Sequence, residues 1–175
     1  MTKNWSRLQK SAALMAGAVL LVGTWEGMRT TVYRDAVGVP TICFGETRGI
    51  NMNSSPRTKA QCEVMLGDAL VEFEQGMRRC LKAPDRIPDK SYTAFLSLSY
   101  NIGTGGFCKS SIARYANRYA DTGNMSDLVL ACNKIRLYNK AGGRVLYGLT
   151  RRRAAERLLC LEGVREKMVT GIVDP

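Results

Sequence analysis

The stretch WEGMRTTVYRDAVGVPT, residues 25–41, holds two acids and a hydroxyl side chain directly after an apolar segment. Glu26 follows that segment, Asp35 comes nine residues later, and Thr41 comes six residues after Asp35. The β-branched and aromatic residues around Asp35 are typical of short strands and predict a small antiparallel sheet. We therefore expect Asp35 on this sheet and Thr41 on its opposite strand.

The periodicity becomes helical after this stretch. Thr58 and Gln61 form a capping-box pattern, and the apolar residues that follow recur at three- and four-residue steps. Gly142 and Gly143 predict a break before a last helix over residues 150–161. These patterns indicate one mostly helical α+β domain with a small sheet near its N-terminus. Three further helix starts are predicted at N-cap residues: Asp89, Ser110 or Ser111, and Ser126.

The amino-acid composition limits the catalytic mechanisms and the partners that the chain can have. The chain has 175 residues, a net charge of +11 and no histidine. The absence of histidine excludes Ser-His-Asp and Cys-His catalysis and leaves a zinc amidase or endopeptidase without its usual ligands, so we expect no metal and no cofactor. The positive charge predicts an anionic partner. Lysines and arginines are dispersed rather than gathered in a basic stripe with aromatic residues. This argues against a nucleic-acid partner and against a non-enzymatic basic protein that only permeabilises membranes.

Residues 11–25 carry no charge and follow basic residues without an acid. As a helix they span about 22 Å, short of a hydrocarbon core of about 30 Å. Three interpretations are open: a signal peptide cleaved near Ala18, a buried helix of a soluble domain, and a weak uncleaved signal-anchor. We favour the signal-anchor, exported through the translocon and followed by a domain over residues 26–175.

Two carboxyl groups are what glycoside hydrolysis requires, one to donate a proton and one to act as base or nucleophile or to stabilise the transition state. Partial burial after an apolar helix would keep Glu26 protonated, whereas a wetter position would suit an ionised Asp35. The hydroxyl of Thr41 could hold a water near Asp35. From the residues alone, however, a helix-end acid and a turn acid without catalytic roles are slightly favoured, because most acids simply face solvent.

The order Glu26, eight residues, Asp35, five residues, Thr41 resembles the catalytic signature of phage-type lysozymes, glycoside hydrolase family 24. The resemblance extends over about residues 25–163. It implies a lysozyme-like fold and a muramidase that cuts the β-1,4 bond between N-acetylmuramic acid and N-acetylglucosamine in peptidoglycan. Further segments resemble lambdoid members in the same order: Val37-Gly38, 41–45, 58–62, 99–103, Gly106-Phe107, 141–143 and 148–156.

Carried over by position, the resemblance makes Glu26 the general acid and Asp35 the second carboxylate, with Thr41 in support. It also places three residues in the saccharide cleft: Gly45, Asn101 and Ser110. Arg152 and Arg153 match the family's last helix, where one of them could pair with a cleft acid or both could lie on a solvated basic face.

A subgroup of this family, the signal-anchor-release endolysins, begins with a similar weakly hydrophobic segment. The resemblance implies that residues 1–25 hold the chain, inactive, in the host inner membrane facing the periplasm. Release would then let the segment refold beside the catalytic domain of a soluble, monomeric enzyme. Because Trp25 and Glu26 are adjacent, we interpret the junction as a switch.

The chain has six cysteines, Cys43, Cys62, Cys80, Cys108, Cys132 and Cys160. They could all be reduced core residues, but export to an oxidising compartment favours disulfides. Six cysteines allow fifteen pairings, and the order of the segments favours 43–62, 80–108 and 132–160. Some members of the resembling subgroup carry a cysteine in the anchor and free a blocked active site by disulfide exchange. Residues 11–25 contain no cysteine, so the resemblance implies activation by refolding alone, although Cys43 leaves redox control open.

Overall fold

The computed structural model describes residues 6–35 and 37–173. Residues 1–5 of the predicted anchor segment and the last two residues of the predicted domain lie outside the described parts. Two short 3₁₀ turns, Pro84–Arg86 and Ile135–Leu137, join some of the longer elements. In chain order the helices and strands are α1 (Arg7–Lys10), α2 (Ala12–Glu26), β1 (Arg29–Arg34), β2 (Pro40–Cys43), α3 (Lys59–Arg78), α4 (Asp89–Ile102), α5 (Thr104–Cys108), α6 (Ser111–Thr122), α7 (Met125–Lys134), β3 (Lys140–Ala141), β4 (Arg144–Val145) and α8 (Tyr147–Val173).

The core is built around α4, which is buried without a break from Ser91 to Ser99. Helices α2, α3 and α8 all pack against it. Contact with α8 is close enough that a Cβ added at Gly163 would lie 2.8 Å from the backbone nitrogen of Ser91. The hydroxyl of Ser91 donates to the Cys160 carbonyl at 2.7 Å. A mostly helical domain is therefore confirmed, with α4 as its centre.

Strands β1 and β2 form the antiparallel sheet predicted near the N-terminus. Tyr33 lies opposite Thr41 and Arg29 opposite Cys43, with an irregular register between these two pairs. More residues of β1 than of β2 fall between the pairs, so β1 is bulged and bends. The predicted α+β class is confirmed.

Helix α2 lies within the core of this fold. Leu14, Ala18 and Val22 are buried at four-residue steps, so one stripe of the helix faces α3 and α4. Leu20, by contrast, keeps 74% of its surface exposed. Among the residues that the structure describes, we find no helix with the length and apolar character needed to cross a membrane.

The short helix α1 fastens the N-terminal segment to the rest of the chain. Leu8 is buried, and its backbone N–H donates to both oxygens of Glu74 at 3.2 and 3.3 Å. Tyr92 donates its hydroxyl proton to the same carboxylate at 2.7 Å. Arg7 lies over the Tyr92 ring and donates to two backbone carbonyls before α4 at 2.9 and 2.8 Å. The segment before α2 is thus tied to both α3 and α4.

Several predicted helix ends are confirmed. Thr58 and Gln61 exchange both hydrogen bonds of a capping box at the start of α3. Ser110 accepts from the backbone of residue 113 and caps α6. Helix α4 ends at Gly103, whose φ of 79° is accessible to glycine at little cost.

Three other predictions of helix ends were wrong. Asp89 is the first residue of α4 and Pro88 precedes it, so the acid lies in the first turn, where it still complements the helix dipole. Asn124 caps α7 by accepting from the backbone N–H of Ser126, which displaces Ser126 into the helix. Helix α8 begins earlier than residue 150, because the Gly-Gly pair turns a short hairpin, β3–β4, that ends directly before the helix. It also ends later than residue 161, at Val173.

All six cysteines are paired as the segment order favoured: Cys43 with Cys62, Cys80 with Cys108, and Cys132 with Cys160. No cysteine is free. The first bridge joins β2 to α3, the second joins the turn just after α3 to α5, and the third joins α7 to α8. Each therefore closes one junction between neighbouring parts of the fold.

Candidate active site

Glu26 is the last residue of α2, at the point where the chain turns into the sheet. Gly27 follows with φ at 70°, a conformation that ends the helix and that glycine adopts readily. The Glu26 side chain is 23% exposed, and its Oε1 accepts a hydrogen bond from Arg152 Nη1 at 2.6 Å. The carboxyl group is thus half-buried, as expected, but a guanidinium group faces it rather than an apolar wall.

Arg152 reaches Glu26 from the buried side of α8. Its Nε donates to Glu156 Oε1 at 3.0 Å, one helical turn further along, and its Nη2 donates to the Ser97 carbonyl at 3.3 Å. Arg152 is 3% exposed. The alternative that this residue lies on a solvated basic face is therefore wrong. The other alternative, pairing with a predicted cleft acid, is what the structure shows.

Arg153 lies beside Arg152 and is also buried. Its Nε is 3.1 Å from Glu156 Oε2, and its Nη2 donates to Asn101 Oδ1 at 3.1 Å. Burial lowers the pKa of Arg153 to about 10, which leaves the group charged at neutral pH. A continuous chain of charged and polar side chains therefore runs from Glu26 to Asn101.

Asp35 sits in the turn after β1, where the backbone holds its side chain. Its Oδ1 accepts from the backbone N–H groups of Val37 and Val39 at 3.0 and 2.9 Å, and its own N–H donates to the Val39 carbonyl at 3.0 Å. Within the described residues no hydrogen bond reaches Oδ2. The turn therefore fixes the direction of the carboxylate and leaves one oxygen free.

Thr41 and Asp35 share an acceptor. The Thr41 hydroxyl donates to the Val39 carbonyl at 2.9 Å, and that carbonyl also accepts from Asp35 N–H. Thr41 is only 2% exposed. Its proton is therefore committed to the backbone, while its oxygen lone pairs remain available to accept a bond.

The three residues expected in the saccharide cleft differ in position. Gly45 is exposed with φ at 98°, just after β2, and a Cβ there would meet no atom within 4 Å. Asn101 is exposed at the end of α4 and bound by Arg153. Ser110 is 5% exposed and its hydroxyl accepts from Ala113 N–H at 3.1 Å as the cap of α6. The structure links Asn101 to the Glu26 network and gives Ser110 a structural contact; their roles toward substrate stay predictions.

Sequence reasoning missed three residues of the site. Tyr100 donates to the Phe44 carbonyl at 3.1 Å and so ties α4 to the segment after β2. Burial, followed by the nearby charge of Glu26, raises the pKa of Tyr100 to about 12. Ser97 and Glu156 complete the set around Arg152. The four-residue step from Arg152 to Glu156 signals their contact on one helix face, but nothing in the sequence marks Ser97.

Within residues 6–35 and 37–173, no group of three or more acidic or cysteine side chains is arranged to bind a metal ion.

Comparison with known proteins decides the family. The sequence description of the Phage lysozyme family matches residues 23–156. The chain belongs to the phage lysozyme family. As a phage lysozyme it is a glycoside hydrolase, and the matched region contains every residue of the site described above.

Individual relatives agree with this assignment. The SAR-endolysin of Bacteriophage PS119 is 33% identical over 156 residues, which cover 86% of this phage lysozyme and 88% of that protein. A crystal structure of a P22 lysozyme mutant matches with a TM-score of 0.71 and 27% identity, covering 83% of this chain and 96% of that one. The active form of the P1 phage endolysin Lyz shares the fold, with a TM-score of 0.70 and 24% identity over 88% of this chain and 95% of that one.

Proposed function

We propose that this phage lysozyme is an endolysin muramidase that uses Glu26 as general acid and Asp35 as second carboxylate on the β-1,4 bond of peptidoglycan. The observation that carries the proposal is the 2.6 Å contact that holds the Glu26 carboxyl at the helix–sheet junction. A net charge of +11 suits an anionic cell-wall polymer.

The contact with Arg152 bears on the proton-transfer step. Arg152 occupies Glu26 Oε1, so Oε2 is the oxygen that can carry the proton to the glycosidic oxygen. When that proton leaves, the new carboxylate already faces a guanidinium group. Stabilisation of charge that appears only as the bond breaks lowers the barrier rather than tightening ground-state binding.

Asp35 acts from the turn of the sheet. Two backbone N–H groups hold Oδ1, and Oδ2 is directed to the substrate, where it serves as base or nucleophile or stabilises the oxocarbenium-like transition state. The Thr41 oxygen accepts a hydrogen bond from the water, or Thr41 supports Asp35 through their shared backbone carbonyl.

The test is release of reducing sugar ends from purified peptidoglycan by the full chain in its soluble form. Glu26→Gln is expected to abolish release, because an amide cannot donate the proton. Glu63→Gln on the exposed face of α3 removes the same charge and is the matched control, expected to keep activity. If Glu26→Gln releases reducing ends as well as an active Glu63→Gln variant does, Glu26 is not the acid. If the wild-type enzyme releases none, it is not a muramidase.

We further propose that residues 11–25 anchor the chain in the host inner membrane until release, so that the enzyme acts in the periplasm as a monomer. The uncharged segment, its basic flank and the SAR-endolysin names of relatives support this. Leu20→Asp tests it: Leu20 is 74% exposed, so the soluble fold tolerates the acid, whereas a charge within a membrane helix costs about 3 kcal/mol. We expect the variant to leave the membrane fraction of expressing cells and to retain muramidase activity. Unchanged membrane association of the variant would contradict the anchor.

A further inference from the structure

Glu156 is a fully buried carboxylate that no step of the proposed reaction uses. It lies on α8 with both arginines of that helix against it, Arg152 Nε at 3.0 Å and Arg153 Nε at 3.1 Å. A buried acid between two buried cations is costly to desolvate, so the cluster is weak evidence for stability, and the geometry that it fixes is the feature to explain. Burial raises the pKa of Glu156, and the two guanidinium groups and the Ser97 hydroxyl oppose this rise.

The contacts of Glu156 lead directly to the proposed general acid. Ser97 Oγ donates to Glu156 Oε1 at 2.6 Å, and Arg152 Nε donates to the same oxygen. On its other side, Arg152 Nη1 donates to Glu26 Oε1 at 2.6 Å. The guanidinium plane is therefore held at two edges, one by α8 and α4 and the other by the acid at the end of α2. Since Arg152 is rigid and planar, fixing its Nε edge also fixes where Nη1 meets Glu26.

We propose that Glu156 and Ser97 are positioning residues for the general acid: they orient Arg152 and share its positive charge, so that Glu26 is held in place without being paired to a full, undivided cation. The proposal rests on the muramidase function proposed above. Neither residue contacts the reacting atoms, so each acts only through Arg152.

The charge of Glu156 has an effect of its own on the site. When Glu156 is ionised, two carboxylates share the positive charge of Arg152. When the side chain at position 156 is neutral, less negative charge compensates the positive charges of Arg152 and Arg153 that act on Glu26. An opposite charge within about 4–6 Å favours the ionised form of an acid, so the charge at position 156 is expected to affect the pH profile of activity. The charged and titratable groups near Glu26 or near its neighbour Tyr100 come from three parts of the fold: Arg152, Arg153 and Glu156 on α8, Tyr100 itself on α4, and Glu46 and Arg48 after β2.

The experiment measures kcat and KM on soluble peptidoglycan fragments across pH for Glu156→Gln and Ser97→Ala in the full chain. Glu156→Gln keeps the shape but removes the charge, and the pH above which activity falls is expected to drop by about one unit, roughly a tenfold loss above that pH. Ser97→Ala keeps the charges, so kcat is expected to fall without a shift of the pH limb and with KM unchanged.

Asp127→Asn is the matched control, since Asp127 is also a buried acid paired with an arginine, Arg118, but lies on α7 outside the chain of contacts from Glu26 to Asn101. It is expected to lower thermal stability and to leave the pH limb and kcat unchanged. A Glu156→Gln enzyme with the wild-type pH limb, or a Ser97→Ala enzyme with wild-type kcat, would overturn the positioning role. If Glu156→Gln does not fold, the Ser97→Ala result decides alone. These outcomes are read only with an active wild type and an inactive Glu26→Gln enzyme, so failure of the muramidase proposal is seen separately.

Discussion

The packing of α2 against α3 and α4 makes the N-terminal segment part of the folded enzyme, and two leucines of this helix test that packing. Leu14 is 6% exposed in the core, whereas Leu20 is 74% exposed on the opposite side. Truncation of a buried leucine to alanine costs about 2–5 kcal/mol, because both transfer free energy and a cavity are involved. An exposed leucine lacks both contributions, and its truncation changes stability by less than about 0.5 kcal/mol.

The expected effect is large enough to measure by thermal unfolding. For a domain of 150–250 residues, 1 kcal/mol shifts Tm by about 2–4 °C, so a loss of about 3 kcal/mol in Leu14→Ala corresponds to roughly 6–12 °C. Unfolding of the soluble full chain is followed by circular dichroism with the disulfides intact. At a temperature between the two midpoints, Leu14→Ala should release few reducing ends from peptidoglycan while Leu20→Ala stays active.

The pair also separates the two environments of the segment. Each variant removes the same side chain from residues 11–25, so each weakens insertion into a bilayer by a similar amount. A difference between the soluble variants must therefore come from the folded core. If Leu14→Ala and Leu20→Ala unfold at the same temperature, α2 is not packed as described, and the assignment of this helix to the enzyme is refuted.

Three further outcomes follow from packing, cross-links and charge. Gly163→Ala should lower Tm because its Cβ would meet α4 backbone at 2.8 Å, whereas Gly171→Ala on the same helix, with no atom within 4 Å, should raise stability by up to about 1 kcal/mol; equal Tm values would refute the close helix contact. Reduction of the three disulfides, which close loops of 19 and 28 residues, should remove about 3 kcal/mol for each bridge, measured as a lower denaturant midpoint. Arg78 lowers the pKa of Asp85, so the unfolded chain binds more protons there, and the stabilisation present above about pH 4 is lost as pH falls further. Arg78→Ala should therefore make the unfolding midpoint less sensitive to pH between 5 and 3 (about 4 being the ordinary aspartate pKa), and an unchanged pH dependence would contradict this.

The parts of the fold that the sequence predicts are those with local signals. The capping box at Thr58 requires only residues three apart, and the sheet around Asp35 follows from β-formers on either side of a turn. The prediction of where α7 starts was wrong because Asn124 and Ser126 are both good N-cap residues. Only the backbone geometry decides which of them caps the helix.

The site is predicted only in part because its central contact is not local. Glu26 and Arg152 lie 126 residues apart in the chain, and no periodicity of either helix indicates that they meet. The family resemblance supplied Glu26 and Asp35, but burial alone distinguishes a paired Arg152 from a solvated one. Glu156 lies within a segment that resembles the family, yet the role proposed for it also involves its contact with Ser97. Nothing in the sequence distinguishes Ser97 from any other serine on a helix.

Helix α2 has one property that the soluble fold does not explain. A helix packed on one side of a domain normally carries polar residues on its other side. Here the buried stripe consists of Leu14, Ala18 and Val22, but the exposed side is also uncharged and includes Leu20. Exposure of that side to water gains nothing for the enzyme, and a single charge there would cost the soluble fold little. An environment in which every face of the helix meets an apolar solvent would instead exclude charge from all of them, because a charged side chain is costly inside a bilayer. The uncharged outer face is therefore the feature of this fold that most favours a stage in the bilayer, and it is the face that Leu20→Asp alters.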